Sequence, residues 1–246
     1  MHQFFVSPDQ VGKDTILITG SDAAHIGRVL RMRPGEELMV RTGEDATHDR
    51  CRIGRITDTD VELEILWAHV SDSELPSRIC LFQCLPKGDK MEWIIQKAVE
   101  LGVFSIIPVA SSRCVMRLEG QKAEKKVQRW NAISENAAKQ SKRSVIPQVL
   151  RVMSFAKAVE YAGSLDHLLI PYERAEDMTQ TRQVLSGIRP GESVGIMIGP
   201  EGGLEESEVS AAVSAGAHAI SLGKRILRTE TAGLCVLSAL MLQLDT

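Results

Sequence analysis

Val194-Gly-Ile-Met-Ile-Gly-Pro-Glu-Gly-Gly203 is the stretch that decides the fold class. A short apolar run, Val194 to Ile198, breaks into a loop holding Gly199, Gly202 and Gly203, and a helical segment with early carboxylates (Glu205, Glu206, Glu208) follows. An apolar run too short for a helix, a glycine turn, and acidic residues where a helix would begin read as strand, loop and helix in succession. Leu222-Gly-Lys-Arg-Ile-Leu-Arg-Thr-Glu-Thr-Ala232 repeats that junction, joining a strand at Ala219 to Leu222 to an apolar helix at Thr229 to Leu242.

Working outward, the same alternation predicts strands at Ile79 to Leu85, Val103 to Val109 and His167 to Pro171, with helices at Lys90 to Leu101, Gln121 to Ser141, Ser154 to Tyr161 and Glu205 to Ala215. Strands and helices in turn imply an α/β domain with a mostly parallel sheet, whose ligand lies at the carboxyl ends of the strands. Further upstream the pattern changes. Gln3 to Val6, Thr15 to Thr19, Leu38 to Arg41, Asp49 to Ile56 and Val61 to Trp67 read as short strands punctuated by turns, with one helix at Asp22 to Leu30 behind a Ser21 N-cap. A small β-barrel is the natural closure. The polar, proline-containing stretch Ser71 to Ser77 places the boundary, giving domains 1–72 and 73–246.

Composition excludes several classes. With 246 residues, 43% hydrophobic and 25% charged, the chain is neither disordered nor, with its short apolar runs, membrane-spanning. The amino terminus shows no secretory signal, so a cytoplasmic protein is expected. Cys51, Cys80, Cys84, Cys114 and Cys235 form no CxxC pair and are expected as buried, reduced thiols; no metal is expected. The net charge of -3 hides a segment, residues 110–151, with ten Lys or Arg against three Glu. In it Lys122, Lys125, Lys126 and Arg129 share one helical face, while Val127, Trp130, Ile133 and Ala137 mark another. A solvated face explains such a stripe, but Lys139, Lys142, Arg143 and Arg151 extend it and favour a polyanion, RNA first.

The first glycine loop is neither GxGxxG nor a P-loop with GK[ST], and Glu201 within it would repel a phosphate. It suits a ligand that is neutral or cationic there, or simply a turn that needs glycine for positive φ. In the second loop Thr229 as N-cap and Glu230 in the first turn are explained by capping alone, whereas Arg228 could hold a phosphate or a carbonyl gaining negative charge.

Taken together, the motifs resemble the SPOUT methyltransferases, and within them the family that methylates N3 of a uridine in 16S ribosomal RNA. The resemblance runs through His25-Ile-Gly-Arg-Val-Leu-Arg31, Gln96-Lys-Ala-Val-Glu-Leu-Gly102, Ile107-Pro108, Trp130, Gln140-Ser-Lys-Arg143, Pro147, Ile198 to Gly203, Glu208 and Leu222 to Ala232. Lys139 stands where the family often has an acid, and Leu204-Glu205 where an aromatic and a serine are common.

That resemblance implies a PUA-like N-terminal barrel that helps hold RNA, a C-terminal domain tied in a trefoil knot, S-adenosylmethionine as cofactor, and a homodimer acting on 16S rRNA or the small ribosomal subunit. Carried over residue by residue, Leu169, Pro171, Ile198, Gly199, Pro200, Glu201, Gly202, Gly203, Leu222, Gly223, Ile226, Leu227, Thr231 and Ala232 would enclose the cofactor. Arg28, Arg31, Lys122, Lys125, Lys126, Arg129, Lys142, Arg143 and Arg225 would face RNA. Uridine N3 carries a proton, so Arg228 is assigned to stabilising a uracil carbonyl, and Glu230 to assisting deprotonation or positioning Arg228. Another SPOUT enzyme, acting on a ribose 2′-oxygen or a transfer-RNA base, and a non-catalytic RNA-binding assembly protein are the alternatives.

Overall fold

A computed structural model describes residues 1–44, 47–70, 73–175 and 177–245. The chain divides into two compact units, Met1–Glu74 with Ala138–Ile146, and Leu75–Ala137 with Pro147–Thr246. The sequence-based boundary lay between 72 and 73; of the stretch that suggested it, Ser71 and Asp72 lie outside the described residues.

The first unit contains β1 (Gln3–Phe5), β2 (Thr15–Thr19), α1 (Gly20–Ala24), β3 (Glu37–Arg41), β4 (Thr47–Ile56) and β5 (Asp60–Val70). Its sheet runs β1-β3-β4-β5-β2, antiparallel except for the β1–β3 pair. Register shifts between Arg50 and Cys51 and between Ile53 and Arg55 bend the long β4–β5 ribbon. The strands thereby share one core, with Phe4, Ile16, Leu38, Cys51 and Leu63 each coming from a different strand. The hydrogen-bonded path is open between β1 and β2, so the predicted barrel is, among the described residues, a curved sheet around a common interior.

Two local expectations need correction. The helix starts at Gly20 after Thr19, not behind a Ser21 cap, and after Ala24 it widens into a π-type turn over His25–Val29, closed by Leu30 N–H donating to His25 O at 2.9 Å. Arg31 then adopts a left-handed φ of 54°. Arg28 and Arg31 therefore do not sit one turn apart on a regular helix.

Residues 138–146 join this unit for an electrostatic reason. The Glu74 carboxylate accepts from the Arg143 guanidinium at 2.5 Å, from Ser144 N–H at 2.8 Å and from Val145 N–H at 3.1 Å. Gln3 Nε2 donates to Arg143 O at 3.0 Å, and Ser144 also meets Arg41. A boundary drawn at one point along the sequence cannot represent such a return.

The second unit is built on β6 (Ile79–Cys84), β7 (Ser105–Ala110), β8 (Gln148–Val149), β9 (Met153–Ser154), β10 (His167–Pro171), β11 (Val194–Ile198) and β12 (His218–Ile220). The helices are α2 (Lys90–Glu100), α3 (Gly120–Ser141), α4 (Phe155–Ala162), α5 (Met178–Gly187), α6 (Glu206–Ser214) and α7 (Thr229–Leu244). The sheet is wholly parallel, in the order β12-β10-β11-β6-β7-β8, with β9 also on β7. Strands β6 and β11 bury every residue, as parallel strands covered on both faces must. Sequence reading missed α5, whose only buried residue is Thr181, so no apolar period marks it; Asp177 caps it, accepting from Thr179 N–H at 2.7 Å and Gln180 N–H at 3.2 Å. Four of the five cysteines are buried and free, while Cys235 is exposed on α7, contrary to expectation.

Candidate active site at the carboxyl edge of the parallel sheet

The loop after β11 doubles back on itself. Gly203 N–H donates to Pro200 O at 2.9 Å, and a Cβ on Gly199 would stand 3.1 Å from Leu204 N and 3.2 Å from Gly203 C, so the glycine is required by close backbone approach. Gly203 itself has a φ of +70°, which makes the turn reading of this glycine correct as well. The Glu208 carboxylate fastens the start of α6, accepting from Glu205 N–H at 2.9 Å and from Ser112 N–H and hydroxyl at 2.9 and 3.0 Å.

The loop after β12 turns at Gly223, φ +93°, and enters α7. The N-cap of α7 is Arg228, whose carbonyl accepts from Thr231 and Ala232 N–H at 2.9 Å each, rather than the expected Thr229. Thr229 has another task. Its hydroxyl donates to Gly199 O at 2.6 Å and accepts from Gln83 Nε2 at 2.9 Å, which ties the two loops to β6.

Two adjoining cavities of about 410 and 540 Å³ open between these loops and the end of β10, sharing Pro171, Tyr172, Glu173, Ile226, Leu227 and Ala232. Ile198, Gly199, Pro200, Glu201, Gly202 and Gly203 line the first, and Leu222 and Gly223 the second, as the sequence reading proposed for a cofactor. Leu169 and Thr231 line neither. Leu169 is sealed inside β10 with 0% exposure, and Thr231 faces outward on the first turn of α7. Sequence reasoning overlooked Tyr172, Glu173, Leu204 and Lys90; the first two follow the carboxyl end of β10, where a switch-point ligand is met, and could have been found from strand order.

Charge around the first cavity is arranged in a chain. Lys90 Nζ lies 2.9 Å from Glu201 Oε1 and 3.5 Å from Glu230 Oε2, and Lys87 N–H donates to Glu201 at 3.1 Å. Burial pushes the Glu201 carboxyl up, but the bonds from Lys90 and from backbone N–H groups outweigh it and leave the group below its ordinary value. Glu201 is thus committed to α2. The carboxylate that instead lies against the glycine loop is Glu173, 3.5 Å from where a Gly203 Cβ would be. Glu230 lines neither cavity, and its buried Oε2 has the Lys90 ammonium as its partner among the described residues, whereas Arg228 is exposed at the cavity wall, in no ion pair with a described residue.

The predicted RNA-facing cations fare unevenly. Lys122, Lys125, Lys142, Arg28, Arg31 and Arg225 are exposed. Lys126 leans on α2, 3.5 Å from Asp89 and 3.8 Å from Glu92, and Arg129 lies 2.8 Å from Glu92. Arg143 must be withdrawn as an RNA ligand: its side chain is 5% exposed and spent on Glu74. Among the described residues no cluster of His, Cys, Asp and Glu could hold a metal, and no helix is long and apolar enough to cross a membrane.

The comparisons with known proteins converge on this architecture. A family profile described as an RNA methyltransferase domain matches residues 73–241, and one described as an RNA methyltransferase PUA domain matches 18–66. The chain is 37% identical to ribosomal RNA small subunit methyltransferase E of Bacillus subtilis, over 94% of this chain and 91% of that one. A crystal structure of a ribosomal RNA small subunit methyltransferase E from Neisseria gonorrhoeae bound to S-adenosyl methionine superposes with a TM-score of 0.82 at 36% identity, covering 97% and 96% of the two chains. A putative methyltransferase from Legionella pneumophila in complex with the same cofactor gives 0.83 at 30% identity, covering 97% and 96%. With a PUA unit ahead of a parallel α/β unit and a cavity between two glycine loops, the chain belongs to the ribosomal RNA small subunit methyltransferase E family.

Proposed function

We propose that this protein transfers the methyl group of S-adenosylmethionine to N3 of a uridine in 16S ribosomal RNA. The observation that carries the reading is the cavity itself, closed by the Thr229–Gly199 bond and lined by two loops whose glycines leave backbone polar groups within reach of a ligand. Its walls fit the donor: Ile198, Leu204, Leu227 and Ala232 offer apolar surface for an adenosyl group, and Glu173 offers negative charge near a sulfonium or an amino group. The donor, when bound, supplies the activated methyl group, so the chain's residues have to orient and deprotonate the acceptor.

Arg228 serves the acceptor. Its guanidinium, in no ion pair with a described residue, stabilises the charge that grows on a uracil carbonyl as the N3 proton leaves. Glu230 is the carboxylate assigned to that proton; its buried Oε2 lies 3.5 Å from Lys90 Nζ and lines neither cavity, so it would have to turn from Lys90 to accept one. Its position in the first turn of α7 keeps the second reading, a helix-terminal carboxylate that orders Arg228, in play. The knot, the homodimer and the cytoplasmic setting are part of the same proposal. Leu242 on α7 is 78% exposed, which supports an apolar contact between two copies. Arg28 and Arg31 of the first unit, residues 1–72 of which we assign to RNA binding, and Lys122, Lys125, Lys142 and Arg225 would meet RNA phosphates.

The test is transfer of labelled methyl groups to small-subunit RNA, both naked and assembled, followed by mapping of the modified nucleotide. Label at N3 of one uridine is expected; label on a ribose oxygen or a transfer RNA would replace this reading with another methyltransferase of the same fold.

A further inference from the structure

Gln83 interrupts an otherwise apolar strand. All six residues of Ile79–Cys84 are buried, and Gln83 has 0% exposure. A primary amide in such a place is tolerated only where its donors and its acceptor find partners. Its nitrogen does so twice, donating to the Thr229 hydroxyl at 2.9 Å and to the Cys84 carbonyl at 3.0 Å. Its oxygen finds no donor among the described residues and faces the α7 backbone, 3.8 Å from where a Gly233 Cβ would stand. Proton accounting fixes this orientation. Thr229 has a single hydroxyl proton, already given to Gly199 O at 2.6 Å, so the hydroxyl can only accept from Gln83, and the amide must turn its nitrogen toward it.

A side chain with one unmade hydrogen bond in the middle of a sheet is a poor choice for stability, and an apolar residue of the same length would suit β6 better. What Gln83 does accomplish is directional. By holding the Thr229 oxygen from behind, it leaves that hydroxyl one orientation, toward the carbonyl of Gly199, and Thr229 and Gly199 both line the cavity.

We propose that Gln83 is a positioning residue of the donor site, acting through Thr229 to fix the Gly199 carbonyl and with it the separation of the two loops. The proposal rests on the reading of this cavity as the site of S-adenosylmethionine. Asparagine would be too short to reach Thr229, glutamate would bring a charge into the sheet, and methionine would fill the space without a donor.

Three variants of the intact protein test it: Gln83→Met, Thr229→Val and the two combined, each followed by thermal unfolding without ligand and by calorimetric titration with S-adenosylmethionine. Gln83→Met is expected to unfold at the same temperature as the wild type or higher, yet to bind the donor about tenfold more weakly, because the donor must then order the Gly199 carbonyl itself. Because both residues act in one relay, the double variant should bind no more weakly than the worse single variant. Wild-type affinity in Gln83→Met, additive losses in the double variant, or a fall in unfolding temperature that parallels the lost affinity would each overturn the proposal. Failure of the wild-type protein to take up the donor is a different result: it removes the reading of the cavity, and this proposal with it.

Discussion

The two cavity loops and the basic face of α3 use polar groups in opposite ways. The loops that frame the cavity are held by bonds inside the protein: Thr229 with Gly199 and Gln83, Glu201 with Lys90 and Lys87, Glu208 with Ser112 and Glu205. Arg228 and Glu173 line the same cavity and enter no ion pair with a described residue. On α3 the stripe that looks uniform in sequence is split, with Lys122 and Lys125 open to solvent and Lys126 and Arg129 drawn to Asp89 and Glu92. Charge in a sequence becomes charge for a partner only where the fold leaves it unspent.

The sharpest way to break that contrast is Arg228→Ala. If the free guanidinium serves the transition state, methyl transfer should fall by about a hundredfold to a thousandfold while calorimetric donor binding stays near the wild-type value. Turnover within a fewfold of wild type would return Arg228 to the solvated surface. Next in size is Gly199→Ala. The new Cβ meets backbone at 3.1 Å, which cannot move aside as a side-chain tip would, so donor affinity should drop at least about tenfold. An unaltered binding isotherm would mean that the loop is looser than its hydrogen bonds imply.

The split stripe gives a finer comparison. Replacing Lys122 and Lys125 together by alanine should reduce the slope of log affinity for RNA against log salt by about 1.4, at roughly 0.7 per lost phosphate contact on single-stranded RNA. The matched Lys126→Ala, Arg129→Ala pair should change it less, since those cations already neutralise α2. Equal slopes for the two pairs would erase the distinction. The smallest effect is expected from Lys90→Met, which removes a solvent-screened ion pair. Here the sign is definite. Glu201 is held below its ordinary value, so its contribution is complete above the unfolded carboxylate range and is lost as pH falls through the folded value. Without Lys90 that loss should begin at a higher pH in acid-unfolding curves.

Much of the second unit was readable because its strands are short apolar runs closed by glycine, and His167–Pro171 and Val194–Ile198 match the expected bounds. Pairing order and the return of residues 138–146 were not, because they depend on contacts between distant residues such as Glu74 and Arg143. In the site, the loop glycines announce themselves, but Thr229 reads as a cap because its hydrogen-bond partner lies 30 positions away. Gln83 gave only one signal, a polar residue inside a buried strand pattern, and Glu173 gave none beyond its place after β10. Arg143 reads as an RNA ligand because nothing local distinguishes it from the exposed Lys142 beside it.

The clasp of Glu74 on Arg143, Ser144 and Val145 has a consequence for how the protein is made. An amino-terminal unit whose last component is encoded so late cannot be completed as its own strands leave the ribosome; it must wait, one acidic group uncovered, until translation has passed Ile146. Maturation of the front of this molecule is therefore paced by the emergence of its middle.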